Sequence, residues 1–291
     1  MRSRALGFFL PLFLLLCSLS LQAAEKPEWE LGWGYLHGIA PHYTGSNEYY
    51  YFDNPFPYFI FRQEEFEIGE NGSRVYLYRG NGLEVDVTLG GRLPIWTQGR
   101  DAEAPEGIDD PDQRLDRGRS WHRRGMDKTP AALLVGLRAT YHLGEHLYFT
   151  APIYQGVGFI RSLPNMGITG LIGGGIDFFE RKSSHSLIID YYRSYGDRRF
   201  NQTYYGVSRK DVLPGRERYQ AKSGFIHDSY GISGSFYLGD HWILGLSWAV
   251  ERMDKSALNA SPLVVTERGY VQGLAVVYKF LASEKKVRIR K

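Results

Sequence analysis

Hydrophobic and polar residues alternate with a period of two along most of the chain. The clearest repeat is the last, in which one face of an extended strand would carry Tyr270, Gln272, Leu274, Val276, Tyr278 and Phe280. The other face would carry Val271, Gly273, Ala275, Val277 and Lys279. Side chains on a strand point alternately to opposite faces, whereas a helix repeats every 3.6 residues, and no helical period is sustained beyond residue 24. The pattern predicts an all-β protein.

The same alternation recurs in earlier segments, at about residues 29–35, 54–61, 83–89, 133–143, 147–153, 168–178, 187–191, 230–238 and 242–250. In the segment from residue 64 to residue 78, Asn71-Gly72 is a strong signal for a tight hairpin turn. Placing the turn there pairs Ile68 with Val75 and Phe66 with Leu77, so that both pairs share a face. The residues on either side of this turn then supply two short strands, and the predicted number of strands is twelve. A single strand over 65–79 would give eleven.

The connections between these strands alternate in length, with the Asn71-Gly72 turn as the exception. Short turns are expected near residues 63–64, 80–82, 144–146, 180–184 and 239–240, and long loops near 38–53, 94–130, 158–166, 195–227 and 252–266. Bacterial outer-membrane barrels have an even number of antiparallel strands, with short periplasmic turns and long outer loops. A soluble β-sandwich would also alternate, but here one face is aromatic in nearly every strand. We therefore predict a transmembrane, antiparallel, up-and-down β-barrel of about twelve strands, with both ends in the periplasm.

The first residues of the chain have the layout of a secretory signal peptide. Arg2 and Arg4 precede an apolar run, and small residues follow at Ala23 and Ala24. We expect residues 1–24 to be removed, with cleavage after Ala23 or Ala24, in a Gram-negative bacterium that exports the chain to its outer membrane. Cys17, which follows Leu16 rather than a small residue, would leave with this segment.

Composition narrows the possible classes of protein. Residues 25–291 contain no cysteine, which excludes a disulfide scaffold and a thiol enzyme. Without Arg2 and Arg4, 33 basic residues face 32 acidic ones, a net charge of +1, which argues against nucleic-acid binding. The 21 Tyr, 16 Phe and 6 Trp suit a protein whose outer surface meets outer-membrane lipid.

Charged residues on the polar face of the strands should point into the barrel. They are Glu30, Glu84, Asp86, Arg92, Arg138, Asp177, Asp190, Glu251 and Lys279. Charges within strands are costly unless they are paired or hydrated. These six acids and three bases could form a closed plug of ion pairs or line a narrow, cation-selective pore.

Three other groups of residues contain side-chain types that occur in catalytic or cation-binding sites. His227, Asp228 and Ser229 are adjacent, so successive side chains alternate in direction and do not form a triad. Glu64, Glu65 and Glu67 could hold a cation, but a solvated turn explains them better. The charged loop over 94–130 lacks the spacing of a calcium loop and is expected to be mobile. No catalytic, cofactor or metal site is assigned, and we expect no enzyme activity.

Four stretches occur in order along the chain: "GWGYLHGIAPHYTGSNEYY", "PFPYFIFR", "RRFNQTYYGVS" and "LGDHWILGLSWAVERMDKSALNASPLV". Together they resemble the MipA/OmpV family. The family motifs fall on Pro41, Tyr43, Gly45 and Ser46, on Gln202, Thr203, Tyr204, Tyr205, Gly206 and Val207, and on Ser261, Pro262, Leu263 and Val264. Asn201 stands where the family usually has Met. The long charged loop over 94–130 and the tail after Phe280 also depart from the family pattern.

The resemblance implies an outer-membrane protein that connects enzymes of the cell wall. The family has a member that bridges a lytic transglycosylase and a peptidoglycan synthase, so the implied function is an envelope scaffold linked to peptidoglycan synthesis and hydrolysis. The alternative that the strands leave open is a pore for small solutes.

Two further predictions concern the last strand of the barrel and the tail that follows it. The last strand resembles the assembly signal of outer-membrane barrels, carried here by Tyr270, Tyr278 and Phe280. We expect the barrel to span residues 25–280. Residues 281–291 form a basic tail, which we expect to be a disordered periplasmic segment able to contact anionic peptidoglycan.

Overall fold

A computed structural model describes residues 25–69, 72–100, 119–158, 165–181 and 183–288. Within these ranges twelve strands form the barrel. They are β2 (Trp29–Pro41), β3 (Tyr49–Arg62), β4 (Phe66–Gly69), β5 (Gly72–Gly80), β6 (Leu83–Arg92), β9 (Ala132–Leu143), β10 (Leu147–Gly158), β11 (Asn165–Asp177), β12 (Ser186–Gly196), β13 (Gly224–Leu238), β14 (Trp242–Arg252) and β15 (Arg268–Ala282). The predicted strand number is confirmed.

Four short elements lie outside the barrel wall. They are β1 (Glu25–Pro27), β7 (Trp96–Thr97), β8 (Arg119–Ser120) and β16 (Lys286–Arg288). One α-helix, α1 (Arg198–Tyr205), follows β12. In the described ranges no helix has the length and apolar content needed to cross a membrane.

The barrel is closed and every neighbouring pair of its strands is antiparallel. The strands follow one another around the wall in chain order, and β15 pairs with β2 to complete the ring. Because β2 begins where β15 finishes, the two ends of the described chain lie at one end of the barrel, which we call the terminal end. The loop residues 42–48, 93–100, 119–131, 197–223 and 253–267 lie at the opposite end, which we call the lid end. The short turns lie where they were predicted. The loop predicted at 38–53 is shorter, because β2 and β3 extend to Pro41 and from Tyr49, and most of the loop predicted at 158–166 lies outside the described residues.

Apolar side chains cover the outside of the wall. Trp33, Leu137, Ile153, Ile172 and Trp248 are between 44% and 60% exposed, although each stands in the middle of a strand. In a soluble protein such a surface would be buried, whereas in a barrel of this type it faces hydrocarbon.

The predicted hairpin exists, but its register differs from the prediction. Phe66 pairs with Val75 and Ile68 with Ser73, so that Gly69 opposes Gly72. The prediction that paired Ile68 with Val75 was wrong by two residues. Gly72 has φ of 88°, which places it in the left-handed conformation that glycine favours. It is therefore the residue that follows the turn, and the tip at 70–71 lies outside the described residues.

The last barrel strand continues past the predicted boundary. β15 ends at Ala282, and its register with β2 shifts between Lys279 and Leu281, so Phe280 lies at a β-bulge. Phe280 is 45% exposed, and Tyr270 and Tyr278 are similarly exposed on the outer wall.

The tail itself forms a strand. Lys26 pairs with Val287, and the side chain of Lys285 lies 2.7 Å from the Glu28 carboxylate. The expectation of a disordered tail is therefore wrong up to residue 288. The physical reason is that β1 offers the tail a partner strand, which the composition of the tail alone could not indicate.

Candidate functional site

Three motif loops meet at the lid end. The Tyr43 hydroxyl donates to the carbonyl of Leu263 at 2.9 Å, and the Tyr205 hydroxyl donates to the carbonyl of Thr44 at 3.0 Å. The Ser261 hydroxyl donates to the carbonyl of Tyr205 at 2.7 Å. These three bonds join segments that are far apart in sequence into one unit, which we call the lid.

Helix α1 brings the second motif into the lid. Asp197 caps the helix by accepting from the amide of Phe200 at 2.6 Å, as expected of an aspartate at this position. The Gln202 side chain accepts from the amide of Ala221 at 2.9 Å, which fixes the loop that follows. Phe200 is only 1% exposed and Tyr204 is 2% exposed, so the apolar face of this short helix supplies much of the core of the lid.

Gly45 is required by the packing of the lid. Its φ is 93°, and a Cβ atom added there would lie 2.7 Å from the sulfur of Met253. Met253 is fully buried. The left-handed conformation and the close approach of the side chain both explain why the motif has glycine at this position.

Glu48 anchors the loop that follows β8. Its carboxylate accepts from the amide of Trp121 at 2.6 Å, from the amide of His122 at 3.2 Å and from the Ser120 hydroxyl. Burial alone would raise the pKa of Glu48, but His42, His122 and these hydrogen bonds more than offset burial and hold the pKa below its usual value. The ionised carboxylate is therefore the form that the lid stabilises.

Two arginines hold the lid together through backbone carbonyls. Arg123 is 3% exposed and donates to the carbonyl of Tyr204 at 2.6 Å and to the Thr129 hydroxyl at 3.0 Å. Arg216 donates to the carbonyl of His122 at 2.8 Å and to that of Asp211. Burial away from water lowers the pKa of both guanidinium groups. Residues 119–131 are thus packed, and the expectation that the whole 94–130 loop is mobile was wrong for this part.

The structure therefore brings most family-motif residues together. Tyr43, Gly45, Ser46, Gln202, Tyr204, Tyr205, Gly206, Ser261 and Pro262 belong to the lid loops or to α1. Pro41 ends β2 beside them, and the Thr203 hydroxyl donates to the carbonyl of Arg199 within the helix. Asn201 is buried in the same unit and donates to the carbonyl of Lys222 at 2.7 Å.

The lower lumen, toward the terminal end, is charged. Glu30 is 1% exposed, and its carboxylate lies 3.0 Å from Arg62 and 3.5 Å from the amine of Lys279. Arg138 binds Asp86 through two hydrogen bonds of 3.0 and 3.1 Å, a bidentate geometry. Each of these pairs links two strands that are neighbours in the wall.

Glu84 is shared by several cations. Arg181 lies 3.4 Å from its carboxylate, and Arg79 and His142 each lie 3.7 Å away. Arg181 belongs to the turn between β11 and β12, so this cluster ties a turn at the terminal end to the inner wall.

The remaining predicted lumen charges have different surroundings. Arg92 lies over the rings of Phe200 and Tyr204 under the lid. Glu251 accepts from the Thr44 hydroxyl at 2.7 Å. Asp177 accepts from the amides of Phe179 and Leu187 and so closes its turn, and the half-buried Asp190 lies on β12.

A cavity of about 530 Å³ occupies the lower lumen. Arg62, Arg74, Arg138, Arg181 and Tyr148 are among its lining residues, and Lys26 and the turn residues Glu145 and His146 line it toward the terminal end. The lid end, by contrast, is filled by packed side chains. Among the described residues the barrel is therefore plugged at the lid end and hollow toward the terminal end.

Sequence reasoning missed several bases of the lower lumen, namely Arg62, Arg74, Arg79 and Arg181. Arg62 binds the predicted Glu30. Arg79 and Arg181 bind the predicted Glu84, whereas Arg74 binds Glu67, which was not among the predicted lumen charges. Arg62 and Arg74 lie in the segment whose strand pattern was ambiguous, and Arg181 lies in a turn. With these cations included, the expected excess of acid inside the barrel is offset.

The other candidate groups are separated by the fold. Asp228 binds Arg193 at 2.8 Å on the outside of the wall, whereas His227 lies 3.7 Å from Glu251. Glu67 binds Arg74 and Tyr76, while Glu64 and Glu65 are exposed in the turn. No group of three potential metal ligands occurs among the residues described.

Comparison with known proteins gives one family and several solved barrels. The model of the family described as "MltA-interacting protein MipA" matches residues 33–280. No curated protein matches the chain.

Solved structures similar to this chain include the monoaromatic hydrocarbon channel CymD. It is 11% identical, with 96% of this chain and 94% of that chain covered and a TM-score of 0.35. The toluene transporter TbuX of Ralstonia pickettii is 13% identical, with 88% and 89% covered and a TM-score of 0.32. Neisserial surface protein A is 12% identical, with 52% and 85% covered and a TM-score of 0.23.

Proposed function

The chain belongs to the MltA-interacting protein MipA family, and from that premise we propose that it is an outer-membrane scaffold for the enzymes of peptidoglycan turnover. The partners implied are a lytic transglycosylase and a peptidoglycan synthase. In this proposal the terminal end faces the periplasm and carries the contacts, while the lid closes the barrel toward the outside.

The observation that carries the proposal is the difference between the two ends of the barrel. The lid end is a compact core, whereas the terminal end has a cavity of about 530 Å³ that is lined by charged side chains. Beside the cavity lies the small sheet of β1 and β16, with Lys285 and Lys286 exposed. A polar, concave surface next to a basic sheet suits reversible contact with periplasmic proteins better than free diffusion of solutes.

Cross-linking in intact cells tests the proposal. A photoreactive amino acid is placed at Glu145 or Asp240, which are exposed in two turns at the terminal end, and at Lys255 in a lid loop as the matched control. We expect products with a lytic transglycosylase or a peptidoglycan synthase from the first two positions only. If Glu145 and Asp240 give no product that Lys255 does not also give, the proposal is wrong.

A straight pore for small solutes is the competing function. It is less well supported, because fourteen buried apolar residues fill the lid end. Conductance in planar bilayers distinguishes the two functions. Steady single-channel currents from the intact protein would favour the pore, and their absence together with periplasmic cross-links would favour the scaffold.

A further inference from the structure

The barrel wall is incomplete beside β3. β3 has 14 residues, but β4 has only four, and the two strands pair only at Phe61 and Arg62. On the other side, β5 pairs with β6 as far as Ser73 and Leu89, while β6 continues to Arg92. Beyond the tip of the β4–β5 hairpin, no described strand lies between β3 and β6.

The direction of the peptide groups shows which of them face this gap. The amide of Arg62 donates toward β2, to the carbonyl of Glu28, and the amide of Gln63 donates toward β4, to that of Phe66. Backbone groups of successive strand residues point alternately to the two sides of the strand, and the register of β2 with β3 is uninterrupted. Odd-numbered residues of β3 therefore direct their backbone groups into the gap.

Two of these odd-numbered residues are prolines. Pro55 and Pro57 have no amide hydrogen, so this edge lacks two donors that a further strand would need. Prolines on an exposed edge protect it from pairing with another chain. An extended peptide is thus a poor occupant of the gap.

The carbonyl groups of Asp53, Pro55 and Pro57 remain, and no hydrogen bond to them occurs among the described residues. An unpaired carbonyl in hydrocarbon is strongly unfavourable, so these groups need water or a hydrogen-bond donor. Over residues 51–57 the edge directs four carbonyls but only two amides, those of Tyr51 and Asp53, into the gap, so it favours a molecule that donates.

The gap lies at the depth of the membrane. Next to it, Trp33 on β2, the partner of Pro57, is 59% exposed on the lipid-facing surface. Higher on the same surface, the Asp53 carboxylate accepts from the Tyr35 hydroxyl at 2.7 Å and lies 3.2 Å from His37. Polar and aromatic residues at this level are typical of a membrane interface.

The gap has defined limits. The hairpin closes it below, and the Tyr50 hydroxyl, which donates to the carbonyl of Pro94 at 2.9 Å, spans it above. The stretch from Tyr51 to Pro57 is roughly 20 Å long at about 3.3 Å per residue. On the inner side Asn54 is exposed and Phe56 is half-buried, so the gap leads to both a polar and an aromatic surface.

We propose that this gap is a lateral window, through which a small amphipathic molecule with an amine head group passes between the outer leaflet and the lumen. The free carbonyls of β3 and the Asp53 carboxylate accept hydrogen bonds from the ammonium group. The rings of Phe52 and Phe56 pack against its apolar chain. A fatty acid fits poorly, because its carboxylate repels Asp53 and the gap offers it fewer amide donors than carbonyls.

Photolabelling in liposomes tests the window. The probe is a dodecylamine that carries a diazirine on its chain, and mass spectrometry maps the labelled residues. Cysteines replace Asn54 and Gly91 on opposite sides of the window, in a chain whose residues 25–291 have no other thiol. One sample is bridged with a flexible bis-maleimide, and the control is the same variant with each cysteine capped by N-ethylmaleimide.

We expect Phe56 to be labelled in the capped protein and its labelling to be lost in the bridged protein, with lipid-facing Trp33 labelled in both. Absence of label at Phe56 in the capped protein, or equal label after bridging, would overturn the window. The corresponding diazirine dodecanoate should label Phe56 less than the amine does. Equal labelling by the two probes would overturn the preference for an amine.

The prolines give a second test that does not depend on transport. The double substitution of Pro55→Val and Pro57→Val restores two donors to the free edge, and we expect it to form dimers that persist in mild detergent. A purely monomeric variant would contradict the protective role of the prolines. The window does not rest on the proposed function, because bridging it should leave the cross-links from Glu145 unchanged.

Discussion

The two ends of the barrel stabilise buried cations in different ways. In the lid, Arg123 and Arg216 donate to backbone carbonyls and hydroxyl groups. In the lower lumen, Arg62 and Arg138 bind the carboxylates of Glu30 and Asp86. A backbone carbonyl is in position to accept a hydrogen bond only when its loop has one particular conformation. A carboxylate, in contrast, is on a side chain that can move with its arginine partner, and it can also be hydrated. The lid is therefore built for one arrangement, and the lumen tolerates water and rearrangement.

The largest expected effect comes from the core of the lid. Phe200→Ala removes a side chain that is 1% exposed, and such a truncation costs about 3–5 kcal/mol. We expect proteases added to intact cells to cleave the 197–223 loop in this variant, while the barrel still migrates differently on gels before and after boiling. Phe149→Ala, on the lipid-facing surface, is the control. Equal protease resistance of the two variants would show that the lid is not a cooperative core.

An intermediate effect is expected from the lumen. Arg138→Met leaves Asp86 without its bidentate partner, and the loss of hydrogen bonds to a charged group costs about 1.5–3 kcal/mol. Adding Asp86→Asn should restore most of the loss, because the buried charge is then absent. Denaturant titration of the single and double variants in detergent measures the change in the free energy of unfolding. Failure of the second substitution to restore stability would mean that the pair supports the wall by packing rather than by charge.

A smaller effect depends on pH. The pKa of Glu48 is lowered in the folded lid, so its contribution to stability is present above the ordinary glutamate pKa of about 4.5 and is lost as pH falls through the lower pKa of the folded state. We expect Glu48→Gln to weaken the lid at neutral pH and to reduce its loss of stability on acidification. The measurement is the rate at which a protease cleaves the lid loops at a series of pH values between 7 and 3. A variant with the pH profile of the unmodified chain would place the titrating group elsewhere.

The smallest effect on assembly is expected at the terminal end. Removing residues 283–291 deletes β16 and the contact between Lys285 and Glu28, but no barrel pair. We expect normal heat-modifiable migration, with weaker co-sedimentation with purified peptidoglycan at low salt and no difference at high salt. Impaired assembly would instead make the tail part of the barrel, and unchanged co-sedimentation would remove its role in peptidoglycan contact.

The wall of the barrel could be predicted because lipid imposes a strict alternation on every long strand. The short β4–β5 hairpin could not, since four residues of β4 carry too little pattern to fix a register. In the lid, Arg123 stands beside other arginines in a loop with no period, and nothing local distinguishes it from Arg124. Its burial depends on Thr129 and Tyr204, which reach it only when the loops meet. Motif residues such as Tyr43 and Tyr205 could be identified from the sequence, but the hydrogen bonds that join them to other lid loops could not be predicted.

The pairing of β1 with β16 brings the two ends of the described chain into one small sheet. Lys26 and Val287 are partners there, so a short linker could join the chain into a ring. The pairing of β15 with β2, which now joins the first and last strands of the barrel, would then become a local connection. A circular permutant with new ends opened in the turn at 144–146 would show whether the order in which the strands are made matters for closing the barrel.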